Sequence, residues 1–275
     1  MITYQLTFYH CLDRLRVPGT ETHYTNKKSR ETPGMDELTK IILYTLGAGA
    51  CIPLGGILAN REKIHPNWLE NEFRHAVIAF GGGILIAAVA LVLVPEGIKY
   101  VNHSALSAIT LLCGGISFFA LERYLGAHRR EKPQFTAMLL DYVPESLALG
   151  GAFAVGAHSA PLLAMFIGLQ NLPEGFNAYR ELNHSKVSSP QKILTFMLLL
   201  VPIGPVIAIF GWVYFSHNSL LLGATMLYAS GGILYLIFQD IAPQAHMKRH
   251  WAPPLGAVIG FSVGMLGSNI VEGNL

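Results

Sequence analysis

The chain has 275 residues, of which 52% are hydrophobic and only 13% charged, with a formal net charge of +2. A soluble domain carries about a quarter of its residues as charges, so this composition excludes one and points to a bilayer. No run of Lys or Arg lies beside aromatic residues as nucleic-acid binding would require, and the three widely spaced cysteines Cys11, Cys51 and Cys113 form neither a disulfide framework nor a CxxC metal motif.

Residues 1–37 are polar, rich in Thr, Glu and Lys, and lack the apolar core of a signal peptide. They read as a disordered tail; a start at Met35 instead would leave only Asp36 and Glu37 ahead of the first span. From residue 38 to the C-terminus the sequence reads as one all-α, polytopic membrane domain. A spanning helix needs roughly 20 mainly apolar residues. Eight stretches qualify, at about 38–59, 76–95, 103–121, 135–156, 160–179, 193–215, 219–241 and 253–271. The loops after spans one, three, five and seven hold twelve of the 19 Lys and Arg residues, and the opposite loops hold only Lys99. The positive-inside bias then predicts a multi-pass protein of the plasma or inner membrane with both termini outside, although Arg14, Arg16, Lys27, Lys28 and Arg30 in the tail oppose it. Trp212 and Trp251 near span ends suit interfacial anchors.

Two internal echoes predict an inverted repeat. Asp141-Tyr142-Val143-Pro144-Glu145-Ser146 in span four is followed 29 residues later by Gln170-Asn171-Leu172-Pro173-Glu174-Gly175 in the oppositely directed span five. Gly82-Gly83-Ile84-Leu85 in span two matches Gly231-Gly232-Ile233-Leu234 in the antiparallel span seven, each ahead of a proline, Pro95 and Pro243. Inverted repeats place a functional site near the midplane at their interface.

Asp141 and Glu145 are i and i+4 and share a helix face. Counted from Pro133 at 1.5 Å per residue, they lie about 12 to 18 Å deep, the middle of a bilayer. Gln170 and Glu174 form a second i, i+4 pair at similar depth. Apart from Lys40 at the edge of span one, no Lys or Arg lies inside a span to neutralise the three carboxylates, so protons or a bound cation must compensate them, and both are transportable. Pro144 and Pro173 are expected to break their helices and free the carbonyls of Leu140 and Leu169. With the amides of Gln170 and Asn171, these oxygens would make a cage suited to a divalent cation.

At these residues the sequence resembles the ZIP family of divalent metal transporters, whose fourth span carries His-Asn-x-Pro-Glu-Gly and whose fifth carries a similar Pro-Glu-Gly element. The resemblance covers nearly all of 38–271. It implies eight spans in a 3+2+3 arrangement, with spans four and five inside a bundle of the other six and a rocking, elevator-like movement. It places the metal ligands on Asp141, Glu145, Gln170 and Glu174, with Asn171 at a position that serves a second metal in some members. Asp141 and Tyr142 replace the motif's His and Asn, Val201 stands where the family has a Glu before Pro, and Gln239-Asp240 stand for a His-Glu pair. One ion is therefore expected rather than two. The loss of imidazole leans the site toward harder ions, with Mn²⁺ a compromise and Zn²⁺ and Fe²⁺ within the class.

An entry or exit path is suggested by Gln239, Asp240 and His246 at one end of span seven, where Gln244 and His250 also lie, and by Glu96 at the far end of span two. His10 and His23 are read as ordinary residues of the tail, and Glu122 and Arg123 as a surface pair. The partners expected are a divalent cation as cargo and the lipid bilayer, with a homodimer left open; no cofactor is implied. An enzyme is disfavoured, because no span carries His-Glu-x-x-His and Ser230 has no His at matching depth. The alternatives are a transporter that uses the carboxylates as a proton relay for another substrate, and a degenerate member that moves no metal.

Overall fold

The computed structural model describes residues 35–62, 67–126, 133–185, 189–245 and 253–271. The expectations for the tail, with His10 and His23, and for His246, His250 and Trp251 fall outside them. The described residues form eight helical rods and no strand. Helix α1 is Met35–Arg61. Helix α2 runs as Asn67–Ala88, a π-helical turn Val89–Leu93, and Val94–Val101. Next come α3, Ser104–Gly126, then α4, Pro133–Ala154, and α5, Ala160–His184. Helix α6 comprises Pro190–Leu200 and Ile203–Phe215. Helix α7 runs as Ser219–Leu236, a second π-turn Ile237–Ile241, and Ala242–Ala245, and α8 is Pro253–Val271.

Six rods, α1, α2, α3, α6, α7 and α8, contain segments long and apolar enough to cross a bilayer. This is an integral, multi-pass, all-α membrane protein. The two rods that fall short are α4 and α5, which carry Asp141, Glu145, Gln170, Asn171 and Glu174 along their length.

The helices end where local chemistry stops them. Asn102 closes α2 in the left-handed conformation at φ +49°, its N–H donating to the Ile98 carbonyl at 2.8 Å, a role asparagine tolerates better than most residues. Gly156, at φ +64°, turns the chain between α4 and α5, a conformation open to glycine without steric cost. The Asn218 side chain accepts the Leu221 N–H at 3.0 Å and caps α7.

The prolines act differently from expectation. Helices α4 and α5 continue as α-helix through Pro144 and Pro173 rather than breaking there. A single proline removes one N–H, and intact turns on both sides hold a buried rod together. The irregularities lie elsewhere: at Val201-Pro202, where α6 is interrupted, and at the two π-turns. Each π-turn begins six residues before its proline, Val89 before Pro95 and Ile237 before Pro243.

Without a hydrophobic drive between helices in lipid, close packing depends on small residues. Four intimate pairs result. Helix α1 packs on α5 through Gly55 and Gly175, α2 on α8 through Gly83 and Gly256, α3 on α7 through Gly114 and Gly231, and α4 on α6 through Gly150 and Gly211. In each pair a Cβ on either glycine would press on a backbone carbonyl of the partner helix. The pairs assemble into two groups, α1/α4/α5/α6 and α2/α3/α7/α8, which meet where α2 lies against α5 and α4 against α7. Spans four and five are therefore not ringed by the other six: α3 packs against α7 and the end of α2, away from the α4/α5 pair.

Candidate cation site

The α4/α5 hairpin is antiparallel, and two contacts fix its register. At one end the Gln170 Nε2 amide donates to Glu145 Oε2 at 2.5 Å. At the other, the Phe135 N–H in the first turn of α4 donates to Glu181 Oε2 at 3.1 Å, which satisfies one of the donors a helix N-terminus leaves open. Asp141 and Glu174 fall opposite each other between these contacts. Asp141 lies within electrostatic reach of Glu174, Glu145 and also Asp240, which the second π-turn of α7 carries.

Burial here is nearly complete. Asp141, Glu145, Gln170 and Asn171 are each 2% exposed or less, Asn177 is 5% exposed, and Glu174 is half-buried. Six side-chain oxygens in this region have no hydrogen-bond partner in the protein: Asp141 Oδ1, Glu145 Oε1, Gln170 Oε1, Asn171 Oδ1, Glu174 Oε2 and Asn177 Oδ1. Buried polar atoms are nearly always partnered, and six unpartnered acceptors on two facing helices make a concentration of negative potential. The ion pairs Arg180–Glu62, 2.6 Å, and Lys99–Glu96, 3.4 Å, lie at helix ends and do not neutralise it.

The expected residues fall into separate groups. Asp141, Glu145, Gln170 and Glu174 come together, although no three Asp, Glu, His or Cys side chains among the described residues are grouped tightly enough to hold one metal ion. Gln170 stands within the carboxylates and presents its amide donor to Glu145. A cation held there would use Gln170 Oε1, the end of that amide that has no partner. Asn171 turns elsewhere, its Nδ2 donating to the Ala48 carbonyl of α1 at 2.9 Å. Glu96 is engaged by Lys99 at the end of α2, and Gln239 is exposed on the π-turn. Glu122 and Arg123 form no ion pair; adjacent residues point about 100° apart on a helix, and Glu122 instead lies within electrostatic reach of Asp240.

No protein-family model matches this chain, and no curated protein matches its sequence. The reading of the site therefore rests on its own residues. Two of those are new relative to the sequence. Asp240, expected only at a path's end, is an electrostatic neighbour of Asp141, and Asn177 joins the buried oxygens unforeseen. The signal for Asn177 was available in the spacing: 170, 174 and 177 are i, i+4 and i+7, one face of a helix.

Tyr142 closes the far side of the site. Its ring is fully buried, and its hydroxyl donates to the Val201 carbonyl at 3.4 Å, at the interruption in α6. Gly49 of α1 and Gly204 of α6 make room for that hydroxyl, since a Cβ at either would collide with it. A bulky phenol thus fills the space between α4, α1 and α6.

Proposed function

We propose that this protein transports a divalent transition-metal cation of the Mn, Zn and Fe class across a membrane, holding one ion with Asp141, Glu145, Gln170 and Glu174. The observation that carries the reading is the set of unpartnered oxygens on successive turns of two facing, buried helices. Charged groups at such depth cost about 2.5 to 3.5 kcal/mol each even by insertion scales, and a cation offsets that cost where no Lys or Arg is present. In this reading the protein supplies ligands and an enclosed, low-dielectric setting for the ion, and its activity is transport.

In this reading the chain spans the membrane eight times, α4 and α5 included, in a ZIP-like inverted repeat that exchanges α1–α3 with α6–α8 and α4 with α5. The pairing of helices supports it: the exchange turns α1 on α5 into α6 on α4, and α2 on α8 into α7 on α3. The π-turns support it too, since α2 and α7 each place one six residues ahead of a proline, and π-turns concentrate at functional sites. The ligands belong to the α1/α4/α5/α6 group and face α2 and α7 of the other, so relative movement of the two groups carries the ion between the two sides. Tyr142 occupies the space beside Glu145 and limits the site to a single ion.

The test is uptake into proteoliposomes of Mn²⁺, Zn²⁺, Fe²⁺ and Cd²⁺, comparing wild type, Glu174→Ala and empty vesicles. Wild type should admit at least one ion faster than empty vesicles, and Glu174→Ala should not. Entry of none of the four at more than the background rate would sink the metal reading. The carboxylates would then be a proton relay for another substrate, or the protein a degenerate member that moves no metal.

A further inference from the structure

The α4/α5 register sets a ladder of levels. Glu145 stands opposite Gln170, Asp141 opposite Glu174, and Phe135 opposite Glu181. From Glu174 to Glu181 is seven residues, about 10 Å of helical rise. Oxygen ligands hold divalent cations at about 2.0 to 2.6 Å, so an ion leaving Glu174 cannot reach Glu181 without an intermediate donor. On α4 the side chain one turn from Asp141 in that direction is Met138, a fully buried thioether and a poor ligand for hard ions.

Asn177 fills the interval. It lies three residues beyond Glu174, about 4.5 Å along the axis. By the helical angle of about 100° per residue, Gln170, Glu174, Asn177 and Glu181 share one face of α5. Asn177 is 5% exposed, and its Oδ1 has no hydrogen-bond partner. An amide oxygen kept buried and unpaired costs free energy unless something transient uses it. Residues of the opposite face, Leu172 and Phe176, line an apolar cavity of about 500 Å³ beside α1 and α2 instead, so the polar face is the continuous one.

We propose that Asn177 is a transit ligand for the cation, the next oxygen after the four-residue site on the way to the Glu181 end of α5. This rests on the cation-transport reading. Binding is complete at the Glu174 level, so Asn177 governs how fast the ion moves on rather than how tightly it is first held.

The experiment compares wild type, Asn177→Leu and Asn177→Asp as full-length protein in proteoliposomes, measuring initial Mn²⁺ uptake against Mn²⁺ concentration. Leucine keeps the branched four-atom shape, at a larger volume, and removes the oxygen; aspartate keeps an oxygen in place. Asn177→Leu should lower the maximal rate about tenfold with KM changed less than about twofold, and Asn177→Asp should keep at least about half the maximal rate. If Asn177→Leu does not yield folded protein, Asn177→Ala carries the same expectation. A maximal rate for the oxygen-free variant within about twofold of wild type overturns the transit role. Equal losses of rate in the Leu and Asp variants overturn it as well, because a packing role and not an oxygen would then be at stake. Wild-type uptake no faster than empty vesicles fells the transport reading, and this proposal with it; a normal wild type beside an unimpaired Asn177→Leu fells this proposal alone.

Discussion

Gly175 of α5 meets α1 so closely that a Cβ would press on the Ile52 carbonyl oxygen and lie 2.9 Å from the Ile52 Cα. Carbon atoms settle at about 3.5 to 4.0 Å, so Gly175→Ala drives the two helices roughly 1 Å apart. That displacement takes the Asn171 Nδ2 to Ala48 carbonyl bond, now 2.9 Å, beyond hydrogen-bonding range. Overpacking costs about 1 to 3 kcal/mol and the lost interhelical bond about 0.6 to 1.7, together roughly 2 to 5 kcal/mol. At about 2 to 4 °C per kcal/mol for a chain of this size, Tm in detergent should fall by roughly 4 to 20 °C. Gly47→Ala is the control, since Gly47 also lies on α1 but its Cβ would meet nothing within 4 Å; this variant should match or exceed wild type, because alanine favours the helix by about 1 kcal/mol. Thermal unfolding of the three proteins followed by intrinsic fluorescence decides the matter. A Gly175→Ala midpoint equal to that of Gly47→Ala would refute the close approach of α1 and α5, and with it the placement of Gln170 and Glu174.

On the transport proposal, Asp141→His exchanges a proposed oxygen ligand for imidazole and should raise Zn²⁺ uptake relative to Mn²⁺ severalfold in a competition assay; an unchanged ratio would remove Asp141 from the proposed ligand set. The Arg180–Glu62 pair, 14% and 10% exposed, ties α5 to the end of α1. Glu62→Ala removes that ion pair and should lower Tm, whereas the double variant Glu62→Leu with Arg180→Met should recover most of that loss. Tm measured across both variants tests this, and a double variant no more stable than the single one would contradict it.

The apolar segments were legible because spanning length and hydropathy are properties of composition, and six of the eight rods announce themselves that way. The paired residues Asp141/Glu145 and Gln170/Glu174 were legible because i, i+4 spacing needs no knowledge of neighbours. Asn177 escaped because the pairing was followed for one turn and not two. The proximity of Asp240 to Asp141 was hidden for a different reason: a π-turn inserts a residue and re-aims the side chains beyond it, and Ile237–Ile241 carries no residue that betrays it. Pro144 and Pro173 misled in the opposite sense. A proline states what it removes from a helix, but whether the helix yields depends on packing that only the fold supplies. The grouping into α1/α4/α5/α6 and α2/α3/α7/α8 rests on which glycines meet which carbonyls, a matter of three-dimensional register that glycine content alone does not fix.

The polarity of α4 and α5 also bears on how the chain is made. Helices are offered to the bilayer one after another during synthesis, and α4 arriving alone would bring two uncompensated carboxylates, at roughly 2.5 to 3.5 kcal/mol apiece. In the eight-span arrangement it has no stable resting place until α5 delivers Gln170 to Glu145 and Glu181 to the open N–H of Phe135. Helix α1, the close partner of α5, is already in place by then, and α6, the close partner of α4, is next to emerge. On the proposed eight-span arrangement, biogenesis would turn on a concerted step in which the hairpin enters as a unit between a waiting helix and an arriving one.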